Sequence, residues 1–227
     1  MNWSDVVSKV TPYIVKIETP GSTGTGFLCL YNQDHSICGI ATALHVVSFA
    51  AEWDQPIRIR HSSGEVLNLP ADNNRVIRFN TANDSAVIIF SKSNLPFPDS
   101  LIPLLPKEEP LPIGAEVAWL GYPAIEPHQA CFFCGNVSAH RKWPAGYLID
   151  GVAINGVSGG PVFYSHPTDG VQFVGAVSAY HANRTTGEAL PGLLVAQDVS
   201  HFHEIVSEVK TIDEARSKDL PDEVENN

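Results

Sequence analysis

Residues 93–113, SNLPFPDSLIPLLPKEEPLPI, contain Pro96, Pro98, Pro103, Pro106, Pro110 and Pro112. Proline lacks an amide hydrogen and collides with the preceding helical turn, so this stretch is neither a helix nor a central strand. It reads as a connector between two strand-rich halves. Upstream, the β-rich runs Tyr13–Ile17, Phe27–Tyr31, Ser36–Thr42, Ile57–Arg60 with Glu65–Leu69, Val76–Phe79 and Ser85–Phe90 give about six strands, with a hairpin turn at Asn32-Gln33-Asp34-His35. Downstream of Gly114, Glu116–Leu120, Gln129–Val137, Tyr147–Ile149, Gly160–Tyr164, Val171–Ala179 and Gly192–Ala196 give about six more. Helical signals are confined to the ends. Ser4 caps a short amphipathic helix that stops at Thr11-Pro12, and Asp198 opens a helix to Lys210 with Val199, Phe202, Ile205, Val206 and Val209 on one face. The chain is therefore all-β: barrel (1–105), barrel with a C-terminal helix (106–210), and an acidic tail (211–227) expected to be disordered.

Composition narrows the partners. With 227 residues, 44% of them hydrophobic, the chain can bury a sizeable core. Its 17 Gly and 17 Pro are spread along the sequence, as many turns between short strands require. A formal charge of −11 argues against nucleic acid or an anionic membrane, which are held by clustered Lys and Arg. Part of that charge sits at the end, in Glu204, Glu208, Asp213, Glu214, Asp219, Asp222, Glu223 and Glu225. Met1-Asn2-Trp3-Ser4-Asp5 has no basic or apolar leader character, and no run approaches the roughly 20 apolar residues of a membrane span. The expectation is a cytoplasmic location. Cys29, Cys38, Cys131 and Cys134 are few for a secreted chain of this length.

Three segments carry chemistry. Gly156-Val157-Ser158-Gly159-Gly160-Pro161 sets a serine in a glycine-rich turn, where the N–H groups of Gly156 and Ser158 can converge on one oxygen. Thr42-Ala43-Leu44-His45-Val46-Val47 puts a histidine at the end of an apolar strand, and Asn83-Asp84-Ser85-Ala86-Val87 puts an acid at the start of a buried one. Taken singly, each has a structural explanation: a tight turn, a packed histidine, a strand-start residue. Acyl transfer needs all three, a nucleophile, a base and a carboxylate that orients the base. Their order His, Asp, Ser, with the serine in the second half, also departs from the Ser, Asp, His order of an α/β-hydrolase esterase, whose alternating long helices are missing here.

With these motifs in place the chain resembles the chymotrypsin-like (trypsin-like) serine proteases, closest to the high-temperature-requirement (HtrA/Deg) type. The matching segments are residues 4–17, Gly24-Thr25-Gly26-Phe27, the His45, Asp84 and Ser158 motifs, residues 113–123, and Val174-Gly175-Ala176-Val177-Ser178. The resemblance implies two antiparallel six-stranded barrels at right angles with the active site in the cleft between them. It assigns His45, Asp84 and Ser158 as the catalytic triad, with Gly156 and Ser158 as oxyanion donors, in a serine endopeptidase acting on a protein or peptide substrate. It also places Val152 at the floor of the specificity pocket and Ser178-Ala179-Tyr180 as a strand pairing with substrate. A small apolar side chain before the cut is expected, because no carboxylate waits for Lys or Arg and Tyr180 narrows the pocket.

The departures from the family are specific. Trypsin-type zymogens have an acid where Val157 stands, so activation by N-terminal cleavage is not expected; control is expected in the ordering of the Ser158 loop, with a regulatory protein partner as one means. A PDZ-like segment after the C-terminal helix is not expected. The alternative function is a catalytically silent pseudoprotease that binds peptides or serves as a scaffold. No cofactor is expected, and the oligomeric state is not legible. Cys131-Phe132-Phe133-Cys134 has the spacing of half a zinc site or a redox pair, but no second half is present, so buried free thiols are favoured over cross-strand disulfides or zinc. His140, His166, His181, His201 and His203 read as surface or helix residues.

Overall fold

The computed structural model describes residues 2–219 apart from 73, 93, 153 and 184–189. In the first half, β1 (Ile14–Glu18), β2 (Thr23–Tyr31), β3 (Ile37–Ala43), β4 (Ile57–His61), β5 (Val66–Leu69), β6 (Arg75–Asn80) and β7 (Ser85–Ser91) make one sheet, ordered β5-β4-β1-β2-β3-β7-β6. All its pairings are antiparallel. Each of the seven strands falls on one of the upstream runs named from the sequence, but the sheet is not the closed six-stranded barrel expected: it stays open between β5 and β6. A side chain spans the gap instead of a ladder: the Arg75 guanidinium on β6 donates to the carbonyls of Leu69 (3.0 Å) and Ala50 (3.4 Å). The second half is a closed six-stranded barrel as expected, β10-β13-β12-β11-β8-β9. Its strands are β8 (Glu116–Gly121), β9 (Cys131–Lys142), β10 (Ala145–Asp150), β11 (Pro161–His166), β12 (Gly170–Asn183) and β13 (Leu190–Asp198).

Three α-helices among the described residues complete the fold. α1 (Trp3–Val10) starts earlier than a cap at Ser4 would allow, because Asn2 supplies the cap: its side-chain oxygen accepts from Asp5 N at 2.9 Å. α2 (Leu44–Glu52) is not expected from the sequence and holds His45 in its first turn. α3 (Ser200–Asp219) runs well past Lys210. Its extension is anchored where Asp213 accepts from the backbone of Gln33 at 2.8 Å, so residues 211–219 of the expected disordered tail are helical. The remainder of that tail, 220–227, lies outside the described residues. Among the described residues no helix is long and apolar enough to cross a membrane.

The halves share one core. Phe27 of β2 meets Phe173 of β12 at 4.6 Å between ring centroids and Phe202 of α3 at 5.9 Å, joining both halves and the C-terminal helix. Burying one such ring removes apolar area worth about 1.5–3 kcal/mol. The terminal helices cross over. Trp3 of α1 packs on Phe132 and Phe163 of the second barrel, while Phe202 and His201 of α3 pack on the first sheet. The proline-rich connector is strapped down along its length: Leu95, Phe97, Ile102, Leu105 and Leu111 are buried, and Pro103 and Leu105 bond to Phe173.

Cys131 and Cys134 lie on β9 in unbroken register with Gly121 and Ala118. Three residues apart on a strand, they point to opposite faces at about 10 Å separation, too far for one disulfide or one metal. Cys29 and Cys38 are buried free thiols, and burial pushes the Cys38 thiol up to about 12.

His201 is buried, with Nδ1 2.7 Å from the Ser85 hydroxyl. Burial lowers its pKa, against the opposing charges of Glu204 and Glu208. The unfolded chain therefore takes up this proton first as pH falls through about 6.5, and stability drops there. The expected outcome is a melting temperature that declines between about pH 7 and pH 5, with a shallower decline in His201→Gln, measured by calorimetry. Equal slopes in the two proteins would contradict this assignment.

Candidate active site

Asp84 ends the turn before β7 with φ +47°, in the left-handed region that Asp tolerates better than most residues. The turn is braced by Asn80, whose side-chain oxygen accepts from Ala82 N and Asn83 N. In this position Asp84 caps a helix from another part of the chain. Its carbonyl accepts from Leu44 N and its Oδ1 from His45 N, both at 3.0 Å, satisfying donors that the first turn of α2 cannot satisfy itself. No side chain of α2 provides a cap, so the sequence carries no local signal for this helix.

The same carboxylate meets the His45 ring: Oδ2 lies 2.9 Å from Nδ1. Ser178 Oγ donates to the same Oδ2 from the second barrel. The carboxylate is thus shared between backbone, imidazole and hydroxyl, with its side chain 28% exposed against 47% for His45. Ser178 is expected on the substrate-pairing strand; its hydroxyl contact with Asp84 is not legible in the sequence, because 94 residues separate the two.

Ser158 sits in a loop whose carbonyls from Ile154 to Ser158 are each engaged. Ile154 O accepts from Val157 N (3.0 Å), Asn155 O from Ala124 N (2.6 Å), Gly156 O from Thr25 Oγ1 (2.8 Å), Val157 O from Gly160 N (2.9 Å) and Ser158 O from Thr25 N (2.8 Å). A peptide's N–H points opposite to its C=O. The bonds on Asn155 O and Val157 O therefore fix the directions of the Gly156 and Ser158 N–H groups. Gly159 requires its glycine: at φ +81° an added Cβ would fall 2.1 Å from Thr42 Oγ1 and 2.8 Å from Ala43 N. This close approach lays the Ser158 loop against the residue that precedes α2 and His45.

Val157 is fully buried, its side chain against Gly121. The loop is anchored there by packing and by Thr25. The hydroxyl of Thr25 donates to Gly156 O and accepts from Tyr122 N at 3.0 Å, and its carbonyl accepts from Thr42 Oγ1 at 2.7 Å. The sequence signals this role of Thr25 only through the Gly24-Thr25-Gly26 pattern.

The expected pocket residues divide. Val152 is 46% exposed. The neighbouring Gly151 rests on Trp119, where a Cβ would meet the indole at 2.3 Å. The backbones of Ala179 and Tyr180 pair with Val195 and Leu194 of β13. Their side chains lie outside the described residues. β11 pairs with β12 only as far as Ala176, so among the described residues no strand covers 178–180 on that side.

A family model described as a trypsin-like peptidase domain matches residues 24–170. No curated protein matches the chain. Among solved structures, a serine endoprotease from Yersinia pestis superposes with a TM-score of 0.67 at 19% identity, over 92% of this chain and 66% of its own. The chain thus spans about two thirds of that protein's length. A Mycobacterium tuberculosis H37Rv protein, solved as a serine-to-alanine mutant in an inactive form, superposes with a TM-score of 0.62 at 19% identity, over 89% of this chain and 90% of its own. These likenesses establish the shared fold.

Replacing Thr25 by Val, which keeps its shape, leaves Gly156 O and Tyr122 N unpaired in a buried site. A loss of about 2–4 kcal/mol is expected in chemical denaturation, from two stranded buried groups. A change below about 0.5 kcal/mol would show that the hydroxyl does not hold the loop.

Proposed function

Because the chain belongs to the family of trypsin-like peptidase domains, we propose that it is a serine endopeptidase that cuts peptide bonds through an acyl-enzyme on Ser158. The observation that carries this reading is the hold of Asp84 on both the backbone and the ring of His45. A carboxylate on Nδ1 fixes the tautomer in which Nδ1 carries the proton and Nε2 is free to accept one. Ser158 Oγ attacks the carbonyl carbon of the scissile bond as His45 Nε2 takes the hydroxyl proton. The tetrahedral oxyanion is held by the N–H groups of Gly156 and Ser158, whose directions are fixed before substrate arrives. Collapse breaks the C–N bond, His45 passes its proton to the leaving amine, and water repeats the sequence to release the acid and restore Ser158.

Two features support the details. The uncovered edge at 178–180 suits a substrate segment added as a strand, with main-chain hydrogen bonds giving affinity. The side chain before the cut then faces Gly151–Val152 and the β12–β13 pair. Trp119 fills the space under Gly151, and Leu194, the register partner of Tyr180, is fully buried. That leaves room for a small apolar side chain. Val157, buried against Gly121, stands in for the ion pair that a new N-terminal amine would make, so the loop is formed without cleavage.

A fluorophosphonate probe is expected to label the protein and to leave Ser158→Ala unlabelled. Peptide cleavage should fall by about 10⁴-fold in kcat in Asp84→Asn and by about 10⁶-fold in Ser158→Ala. Peptide-library profiling should show small apolar residues before the cut; dominance of Arg or Lys there would overturn the pocket assignment. Peptide binding with neither labelling nor cleavage would favour the silent scaffold.

A further inference from the structure

Helix α2 shows solvent a face that its surroundings do not explain. His45, Phe49 and Glu52 are its exposed residues, followed by the exposed Trp53 at its C-cap, whereas Val46, Val47 and Ala50 are buried. At 100° per residue, Phe49 and Trp53 follow His45 along one stripe. The two rings are 48% and 59% exposed and touch at 6.2 Å between centroids. An exposed face ordinarily carries polar side chains, and two aromatics in contact beside a functional histidine form an apolar strip with a direction.

The turn before β2 lies against Phe49, and the buried start of β2 passes between the buried face of α2 and the Ser158 loop. An added Cβ at Gly24 would lie 3.0 Å from Ser158 O and 2.5 Å from Val46 Cγ2; one at Gly21 would lie 3.3 Å from the Phe49 ring. The loop's other flank belongs to β12, through Gly159 N to Val177 O at 2.6 Å. A polypeptide crossing Ser158 therefore leaves the open edge at 178–180 on one side and reaches α2 on the other. The product half whose amine takes the proton from His45 lies on the His45 side.

We propose that Phe49 and Trp53 form an apolar subsite for the substrate segment that follows the scissile bond, selecting large apolar side chains at the second and fourth residues after the cut. This inference rests on the endopeptidase reading. The spacing fixes the positions. Phe49 stands four helical residues, about 6 Å, beyond His45, and the Phe49 and Trp53 rings are 6.2 Å apart, against about 6.6 Å for two residues of extended chain. Alternate residues of an extended segment share a face, so the second side chain after the cut falls on Phe49 and the fourth on Trp53.

The test uses peptides that are identical up to the cut and carry Leu, Phe, Gly or Asp at the second or the fourth position after it. A small activated ester, which has no residues on the leaving side, is run in parallel. The expected result is a preference of about tenfold in kcat/KM for Leu or Phe over Asp at the second position, equivalent to about 1.4 kcal/mol. Phe49→Ala should reduce that preference severalfold, and Trp53→Ala should act on the fourth position instead. Ester hydrolysis with no preference among the peptides, or a preference that survives in the Phe49→Ala, Trp53→Ala double variant, overturns the subsite and leaves the endopeptidase standing. Absence of both ester and peptide hydrolysis overturns the two together.

Discussion

The contacts of Thr25 are the constraint on which the site depends. One residue of β2 takes the carbonyls of Gly156 and Ser158 with its hydroxyl and its N–H, holds Tyr122 through the same hydroxyl, and receives Thr42 on its own carbonyl. It therefore ties the loop of the second barrel to the first sheet at the point where the two meet. Each bond is buried, where an unmet partner costs about 1–3 kcal/mol, so the arrangement is made whole or not at all. The aromatic contact of Phe27 with Phe173, two residues along the same strand, supplies the apolar burial that keeps the halves together around it.

A second economy lies in Asp84. Its carboxylate serves as the cap that α2 lacks and as the group that orients the His45 ring, so helix formation and imidazole alignment are a single event. Ser178 brings the second barrel to the same oxygen. The site is in this sense a product of the packing between halves, and the crossed terminal helices, with Trp3 on one barrel and Phe202 on the other sheet, resist their separation.

Much of this is legible in the amino-acid sequence. The proline-rich connector and the apolar runs mark two strand-built halves, and the His45, Asp84 and Ser158 motifs mark the segments that meet where the halves join. Local signals fail where a long-range partner substitutes for a local one. α2 has two β-branched valines and no capping side chain, and exists because of an aspartate 39 residues away from His45. α3 outlasts its apolar stripe through Asp213 bonding to Gln33 across 180 residues. The Cys-x-x-Cys spacing suggests a pair only where the backbone turns back on itself; on the straight strand β9 it separates the two thiols. The first sheet remains open because Arg75 occupies the gap where a ladder would close it.

Held in this loop, Ser158 is proposed to take a covalent acyl group from the substrate. The most direct test mixes the protein with an activated ester, quenches in acid within the first turnover, and maps the acyl mass by peptide mass spectrometry. The expected result is stoichiometric acylation of the peptide bearing Ser158, accompanied by a burst of released alcohol of the same size. Turnover of ester or peptide with no acylated Ser158, or with the acyl group on another residue, would contradict the account.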